Sequence, residues 1–185
     1  AIGGGIGFNS SGGIGQVKIS GGTIYAYNHA NEWEIPSAAR GSAGSWASSG
    51  GSGTVEITGG YVYAEAALGT AIGGGSSKTR QGGSATVTIS NNSYVIAKSI
   101  PALDKYTNTI YPAGSGIGGG TGGTGVAIVG AGQVAPPAYG GSAKITITGN
   151  PTIRTGSIGG GKTNNPNGKI GNATIVVAGG DISAQ

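Results

Sequence analysis

The sequence contains no cysteine and no methionine. Without thiols the chain has neither a disulfide scaffold nor a metal or iron–sulfur site held by cysteine. Only 9% of the residues are charged, yet no apolar run approaches the roughly 20 residues that a membrane-spanning helix needs. We therefore expect no membrane span. The absence of cysteine fits a secreted bacterial surface protein, so we expect an extracellular or cell-surface location.

Positive charge is present but is not concentrated. Ten basic and six acidic residues give a formal net charge of +4, and the basic residues are scattered from Lys18 to Lys169. Proteins that bind nucleic acid usually cluster their basic residues on one face or in one run. We expect the surplus to serve solubility and weak attraction to anionic surfaces, and we expect no nucleic-acid partner.

Glycine is the residue in excess, at 43 of 185 positions. The glycines lack the three-residue period of collagen, and proline numbers only 7. Flexible disorder is the other alternative for a chain rich in glycine and serine, but disordered chains are poor in β-branched residues. Here isoleucine, valine and threonine recur at regular positions, which favours a folded β protein.

Two motifs alternate along the chain. The first is Ile-Gly-Gly-Gly, which begins at Ile2, Ile72, Ile117 and Ile158. The first motif is missing from the second unit, where we expect Arg40–Ser45 to be a degenerate copy. The second motif is a pair of short alternating segments around a corner of glycine or asparagine: VKISGGTIYAY (17–27), VEITGGYVYAE (55–65), VTISNNSYVIAK (87–98), ITITGNPTIRTG (145–156) and IVVAGGDISAQ (175–185).

The second motif predicts two strands joined by a corner. Apolar side chains recur at every second residue, which is the period of a β-strand. We expect Val17, Ile19, Ile24 and Ala26, with their equivalents in later units, to face one interior. The pair of glycines or asparagines between the strands tolerates positive φ, as a corner requires. The isoleucine of the first motif forms a third short strand that points inward, and its glycines form the next bend.

Three strands per unit and about five units predict an all-β fold, a right-handed parallel β-helix with glycine-rich corners. Equivalent aliphatic residues of successive units then stack in columns. We expect a single β-solenoid domain over residues 1–185, with units at approximately 1–39, 40–69, 70–113, 114–156 and 157–185. A bundle of polyglycine II helices is the competing architecture, but it needs nearly continuous glycine, whereas these glycines cluster at corners.

The pattern AIGGG…VxIxGGxIxA resembles the Gly-rich parallel β-helix repeat modules found in large extracellular proteins of anaerobic Gram-positive bacteria. The resemblance covers essentially the whole chain and implies the β-helix architecture. Such modules occur in adhesins, in cell-wall-associated proteins and in polysaccharide-handling proteins, so the resemblance implies no single activity. No catalytic residue is carried over from it.

Two glycine-rich segments match nucleotide-binding patterns. Gly156–Thr163 (GSIGGGKT) fits the phosphate-loop pattern, with Lys162 and Thr163 in the phosphate and magnesium roles. A phosphate loop needs a helix directly after it, whereas the turn residues Asn164–Gly168 follow here. Gly118–Gly123 fits G-x-G-x-x-G, a pattern that so glycine-rich a chain produces by chance. We expect no nucleotide, no metal and no other cofactor.

Candidate catalytic residues are few. Glu32 and Glu34 flank Trp33 and are the only close pair of carboxylates, so they are the candidate acid and base of a polysaccharide-acting enzyme or its accessory domain. The simpler interpretation is a solvated loop. His29 is the single histidine and has no serine or aspartate at a recognisable catalytic spacing. We therefore assign no catalytic residue and favour a protein that is not an enzyme.

The aromatic residues form the best candidate for a binding surface. The predicted register places tyrosines of successive units on the outward face of one sheet, with two tryptophans on nearby loops. Flat rings stack against sugars, and exposed apolar clusters often mark interaction sites. The alternative is that cross-strand tyrosine pairs only stabilise the sheet. The candidate carbohydrate-binding residues are Tyr25, Tyr27, Trp33, Trp46, Tyr61, Tyr63 and Tyr94.

Three functions are open on the sequence alone. The first is a non-enzymatic, extracellular β-solenoid module, structural or adhesive, that binds a glycan or another cell-surface polymer through the tyrosines and tryptophans. The second is the polysaccharide-acting enzyme or accessory domain. The third is a filament subunit that associates head to tail, because solenoid ends without a capping segment expose strand edges that pair with other chains.

Overall fold

The computed structural model describes residues 1–4, 12–28, 49–67, 69–77, 80–104, 109–111, 113–123, 137–163 and 167–184. Every element within these ranges is a β-strand. None of the described residues forms a helix long and apolar enough to span a membrane. The predicted all-β class is confirmed, and most strands belong to three parallel sheets, an arrangement consistent with a parallel β-helix.

Each parallel sheet is formed by equivalent strands of successive repeat units. Sheet I contains β1 (Ile2–Gly3), β6 (Ile72–Gly73), β11 (Ile117–Gly118) and β14 (Ile158–Gly159). Sheet II contains β2 (Gly15–Ile19), β4 (Gly53–Ile57), β7 (Ala85–Ile89), β12 (Ala143–Thr148) and β15 (Ala173–Ala178). Sheet III contains β3 (Thr23–Asn28), β5 (Tyr61–Ala67), β8 (Tyr94–Ile100), β13 (Thr152–Thr155) and β16 (Asp181–Ala184). An antiparallel hairpin of β9 (Ala102–Asp104) and β10 (Thr109–Tyr111) is inserted between β8 and β11.

The register aligns equivalent residues of successive units. In sheet II, Val17 pairs with Val55, and Val55 pairs with Val87. In sheet III, Ile24 pairs with Val62 in the same way, and sheet I pairs isoleucine with isoleucine. Since neighbouring strands lie about 4.8 Å apart, aliphatic side chains of one type stack directly on each other along the sheet.

These aliphatic columns form the hydrophobic core. Full burial of one such side chain contributes about 1.5–3 kcal/mol, so the columns are the main source of stability. The inward face predicted from the alternation is confirmed for the inner strands. The fully buried isoleucines and valines are Val55, Ile57, Val62, Ile72, Val87, Ile89, Val95, Ile117, Ile145, Ile147 and Ile153.

Aliphatic columns are exposed in two outermost strands, β15 of sheet II and β3 of sheet III. Ile24 in β3 is 37% exposed and Ile175 in β15 is 43% exposed, although both continue columns whose inner members are buried. An outermost strand has a described neighbour on one side only, so half of the stacking contact is missing. The prediction that every unit buries its aliphatic residues is therefore wrong for these two strands.

The predicted corners between sheets II and III are also confirmed. Asn91, in the Asn-Asn corner, has a φ of 57°, and Gly60, in a Gly-Gly corner, has a φ of 86°. Among the described residues, Asn91 is the only one with positive φ that is not a glycine. Its side-chain nitrogen donates a 3.1 Å hydrogen bond to the carbonyl oxygen of Thr58 in the preceding corner, which ties adjacent corners together.

The first strand lies out of sequence order. In the regular pattern a strand of sheet I follows a strand of sheet III and lies between two successive strands of sheet II, as β6 lies between β4 and β7. β1 instead precedes β2 in the chain and lies between β2 and β4. It pairs directly with β6, Ile2 against Ile72. Arg40–Ser45, the predicted degenerate copy of the first motif, lies outside the described residues.

The glycines of the first motif do more than form a bend. The third glycine of each motif alternates with a glycine that precedes a strand of sheet II. Each glycine of this series after the first donates its N–H to the carbonyl oxygen of the one before it in the sequence. We call the resulting chain of backbone hydrogen bonds, with donor–acceptor distances of 2.6–2.9 Å, the glycine ladder. A Cβ atom at Gly83 or Gly120 would overlap a carbonyl oxygen, so these positions exclude every side chain. The ladder consists of Gly51, Gly75, Gly83, Gly120, Gly141, Gly161 and Gly171.

Candidate functional site

Five of the seven candidate binding residues lie together on the outward face of sheet III. Because side chains alternate between the two faces of a strand, these tyrosines point away from the buried Val62 and Val95. The register pairs Tyr61 with Tyr94, and Tyr25 with Tyr63. We call Tyr25, Tyr27, Tyr61, Tyr63 and Tyr94 the tyrosine cluster. Trp33 and Trp46 lie outside the described residues.

The five rings form a continuous chain of contacts. Tyr61 and Tyr94 are stacked, with ring centroids 5.4 Å apart and planes inclined by 13°. Tyr63 lies 5.5 Å from Tyr27 and 6.2 Å from Tyr25, tilted by about 40° to both. Tyr25 and Tyr61 complete the chain at 5.9 Å. Offset and tilted pairs at such distances contribute about 0.5–1.5 kcal/mol beyond area burial, so the cluster also stabilises the sheet, as the alternative interpretation predicts.

Exposure differs sharply within the tyrosine cluster. Tyr25 is 60% exposed and Tyr27 is 56% exposed, whereas Tyr61 and Tyr63 are half-buried by their neighbours. The rings of Tyr25 and Tyr27 have almost the same orientation, with planes inclined by 2° and centroids 6.5 Å apart. Sheet stabilisation alone does not require two large rings to remain this exposed, so both residues keep ring surface that faces solvent.

A polar group borders Tyr63. Its hydroxyl donates a 2.6 Å hydrogen bond to Oε2 of Glu65. That hydrogen bond, with a smaller effect of desolvation, raises the pKa of Tyr63 to about 12, so the phenol is neutral at physiological pH. The Nζ atom of Lys98 lies 5.5 Å from the centroid of the Tyr63 ring, which is cation–π distance. Lys98 is the cross-strand partner of Glu65, so an acceptor and a donor lie side by side.

An ion pair lies further along the same face. Nη2 of Arg154 donates a 2.7 Å hydrogen bond to Oδ2 of Asp181 on the adjacent strand. This hydrogen bond, more than the charge alone, lowers the pKa of Asp181 from its ordinary value. Asp181 is exposed and Arg154 is only partly buried, so the pair adds little stability. Its consequence for binding is that neither charge is left without a counter-charge.

Glu65 and Lys98 are not among the site residues predicted from the sequence. The signal was present, since both occupy the same position of the second motif, in VYAE and in VIAK. A carboxylate in one unit and an ammonium group in the next, at one outward position, predict a cross-strand pair.

The phosphate-loop match has a structural role. Ile158 and Gly159 form β14 and pair with Ile117 and Gly118 of β11. The N–H of Gly161 bonds the carbonyl oxygen of Gly141 in the glycine ladder, so it does not point into a phosphate site. In the other match, Gly118–Gly123, the N–H groups of 119, 120 and 122 bond backbone carbonyls in the same way. These glycines allow backbone segments to approach one another.

The enzyme candidates are not located by the structure. Glu32, Glu34 and His29 lie outside the described residues. Within the described ranges, no group of three or more histidine, cysteine, aspartate or glutamate side chains is placed to hold a metal ion.

Comparison with known proteins identifies neither a family nor a function for this chain. No protein-family model, curated protein or solved structure matches this chain.

Proposed function

We propose that this protein is a non-enzymatic module of the bacterial cell surface or extracellular space, structural or adhesive, whose tyrosine cluster binds a glycan. The observation that carries the proposal is the exposure of Tyr25 and Tyr27 on a sheet whose strands pair in register. Rigid aromatic side chains on a preformed surface lose little conformational entropy on binding, which favours recognition.

The architecture proposed for this module is a right-handed parallel β-helix that forms a single domain. The chain passes repeatedly from sheet II to sheet III to sheet I, and each sheet adds strands in parallel register, which supports closure into a solenoid. Right-handedness is the rule for connections between parallel strands. The resemblance to Gly-rich extracellular β-helix modules supports the proposed location.

The experiment for this function is a glycan microarray probed with the fluorescently labelled chain. The double variant Tyr25→Thr/Tyr27→Thr removes both exposed rings and keeps β-branched residues that suit a strand. Tyr139→Thr is the matched control, because Tyr139 is an exposed tyrosine outside the cluster. We expect the double variant to lose the glycans that the wild type and the control retain. Equal binding by all three proteins would refute a role for the cluster.

Self-assembly is a second candidate function, favoured by the exposed ends of the aliphatic columns. Ile24 and Ile175 belong to columns whose inner members are buried. A second copy that places β2 and β3 beside β15 and β16 would continue both sheets, with Val17 on Ile175 and Ile24 on Ile182. Such a head-to-tail contact generates filaments. Light scattering should then rise steeply with concentration for the wild type and not for Ile175→Lys, and flat scattering by the wild type would refute the candidate.

A further inference from the structure

The ring orientations divide the tyrosine cluster into a supporting part and a binding part. Tyr61 and Tyr94 turn their faces toward each other, since their planes differ by only 13° at 5.4 Å. A face used in this stack is not available to a ligand. Tyr25 and Tyr27 share one orientation on β3, the outermost strand of sheet III, and remain more than half exposed. A ligand that lies along β3 therefore meets two rings in the same orientation.

Tyr63 holds this binding part in place from the neighbouring strand. Its ring contacts both Tyr25 and Tyr27 at tilted angles, which limits the rotation of either ring. The hydrogen bond to Glu65 and the nearby ammonium group of Lys98 fix Tyr63 itself. The two exposed rings are thus preorganised, and binding requires little further ordering.

The polar groups beside the rings suit hydroxyl groups. Tyr27, Glu65 and Lys98 are consecutive partners across β3, β5 and β8. A carboxylate accepts up to about four hydrogen bonds, and an ammonium group donates up to about three. A ligand stacked on Tyr27 therefore lies next to both an acceptor and a donor. Sugar hydroxyls, which donate and accept at fixed spacing on a flat ring, match that combination.

The charges on this face indicate that the ligand is uncharged. Although the whole chain carries +4, the charged residues that the described strands of sheet III place on the outward face are two acidic and two basic, Glu65, Asp181, Lys98 and Arg154. Arg154 and Asp181 pair with each other, and Glu65 lies between Tyr63 and Lys98. An acidic polysaccharide would meet a carboxylate beside the rings, and a cationic one would meet an ammonium group.

We infer that the glycan bound by this surface is a neutral one, which stacks on Tyr25 and Tyr27 while its hydroxyl groups bond Glu65 and Lys98. This inference rests on the proposed glycan-binding function and specifies its ligand class. It also assigns separate roles: the two exposed rings supply contact area, and the Glu65–Lys98 pair selects uncharged hydroxyl-bearing rings.

Affinity electrophoresis of the full chain tests the inference, with galactomannan, xyloglucan or mixed-linkage β-glucan as neutral polymers in the gel and polygalacturonate as the acidic one. Each gel is run at low and at high salt, because salt screens ionic attraction and leaves stacking intact. We expect at least one neutral polymer to retard the protein, and we expect this retardation to be the same at low and at high salt. Tyr25→Thr/Tyr27→Thr should weaken it about tenfold or more, and Glu65→Gln or Lys98→Met several-fold. Tyr139→Thr should leave it unchanged.

The other outcomes separate the inference from the function on which it rests. Retardation by polygalacturonate alone, abolished by salt but dependent on Tyr25 and Tyr27, overturns the neutral ligand and leaves glycan binding in place. Retardation by neutral polymers that Glu65→Gln and Lys98→Met do not change overturns the role of the polar pair. Binding that does not depend on the two tyrosines, or no binding to any polymer, overturns both the inference and the proposed function. Urea unfolding of each variant checks that it is folded.

Discussion

The hydroxyl group of Tyr63 donates a 2.6 Å hydrogen bond to the carboxylate of Glu65, two residues further along β5. Side chains two residues apart on a strand point to the same face, so both groups lie on the face that carries the tyrosine cluster. The bond stabilises the protonated phenol against a charged acceptor and raises the pKa of Tyr63 from 10.0 to about 12.

This pKa is directly measurable. In an ultraviolet titration of tyrosinate, we expect a component near pH 12 in the folded wild type. Tyr63→Phe should remove that component, which assigns it. Glu65→Gln should move it to lower pH, because the charged acceptor and its negative potential are both lost. If the component stays near pH 12 in Glu65→Gln, the hydrogen bond is not its cause.

Alkaline stability should depend on the same proton. Because the pKa of Tyr63 is higher in the folded state than in the unfolded state, folding retains the proton, and the associated stability falls as pH rises. The contribution is complete below the ordinary tyrosine pKa of 10.0 and is lost as pH passes through about 12. Urea unfolding across this range should show a smaller loss of free energy for Tyr63→Phe than for the wild type. Parallel losses in the two proteins would contradict the linkage.

The corner at Asn91 predicts a contrast between two small substitutions. Its φ of 57° costs most residues with a Cβ about 1–2 kcal/mol, whereas glycine adopts it freely. Asn91→Ala should therefore be the more destabilising in urea unfolding. Asn91→Gly loses only the hydrogen bond to Thr58 and the entropy of a more flexible unfolded chain. Equal destabilisation by both substitutions would show that the corner does not require positive φ.

Truncation of an isoleucine should lower the free energy of unfolding much more in the core of an inner strand than at an exposed position. Ile89 is fully buried in β7, between Ile57 and Ile147. Ile89→Ala should lower the free energy of unfolding by about 2–5 kcal/mol, because the neighbouring columns cannot collapse into the space. Ile14 is exposed, so Ile14→Ala should change it by less than about 0.5 kcal/mol. A change at Ile14 as large as that at Ile89 would contradict the assigned interior.

The features that could be predicted from the sequence are those that depend on the identity and spacing of side chains. Alternation fixed which face of each strand is inward, and Gly60 and Asn91 lie at corners because few residues accept positive φ. The tyrosine cluster followed from the same register. The position of β1 could not be predicted, because the motif at Ile2 has the same sequence whether its strand precedes or completes a unit. The contacts of Trp33 and Trp46 remain predictions.

The glycine ladder escaped prediction for a different reason. It is a contact of backbone with backbone, so it leaves no alternation of apolar and polar residues to detect. In the sequence the ladder corresponds to a third repeated motif, Gly-Gly-Ser. This motif lies directly before β4, β7 and β12, at Gly50–Ser52, Gly82–Ser84 and Gly140–Ser142. We interpreted such glycines as corners, whereas the structure uses them to bring segments of different units within hydrogen-bond distance.

Matched glycine substitutions test whether this ladder holds the units together. Gly83 donates its N–H to Gly75 at 2.6 Å and accepts from Gly120 at 2.8 Å, and an added Cβ would overlap the carbonyl oxygen of Gly51. Since backbone on both sides cannot move independently, we expect Gly83→Ala to cost more than about 3 kcal/mol in urea unfolding. Gly21, in an open corner with nothing within 4 Å of an added Cβ, is the control, and Gly21→Ala should be neutral or slightly stabilising. Equal stability of the two variants would mean that the ladder is loose enough to admit a side chain, and the close packing of sheet I against sheet II would then lose its physical basis.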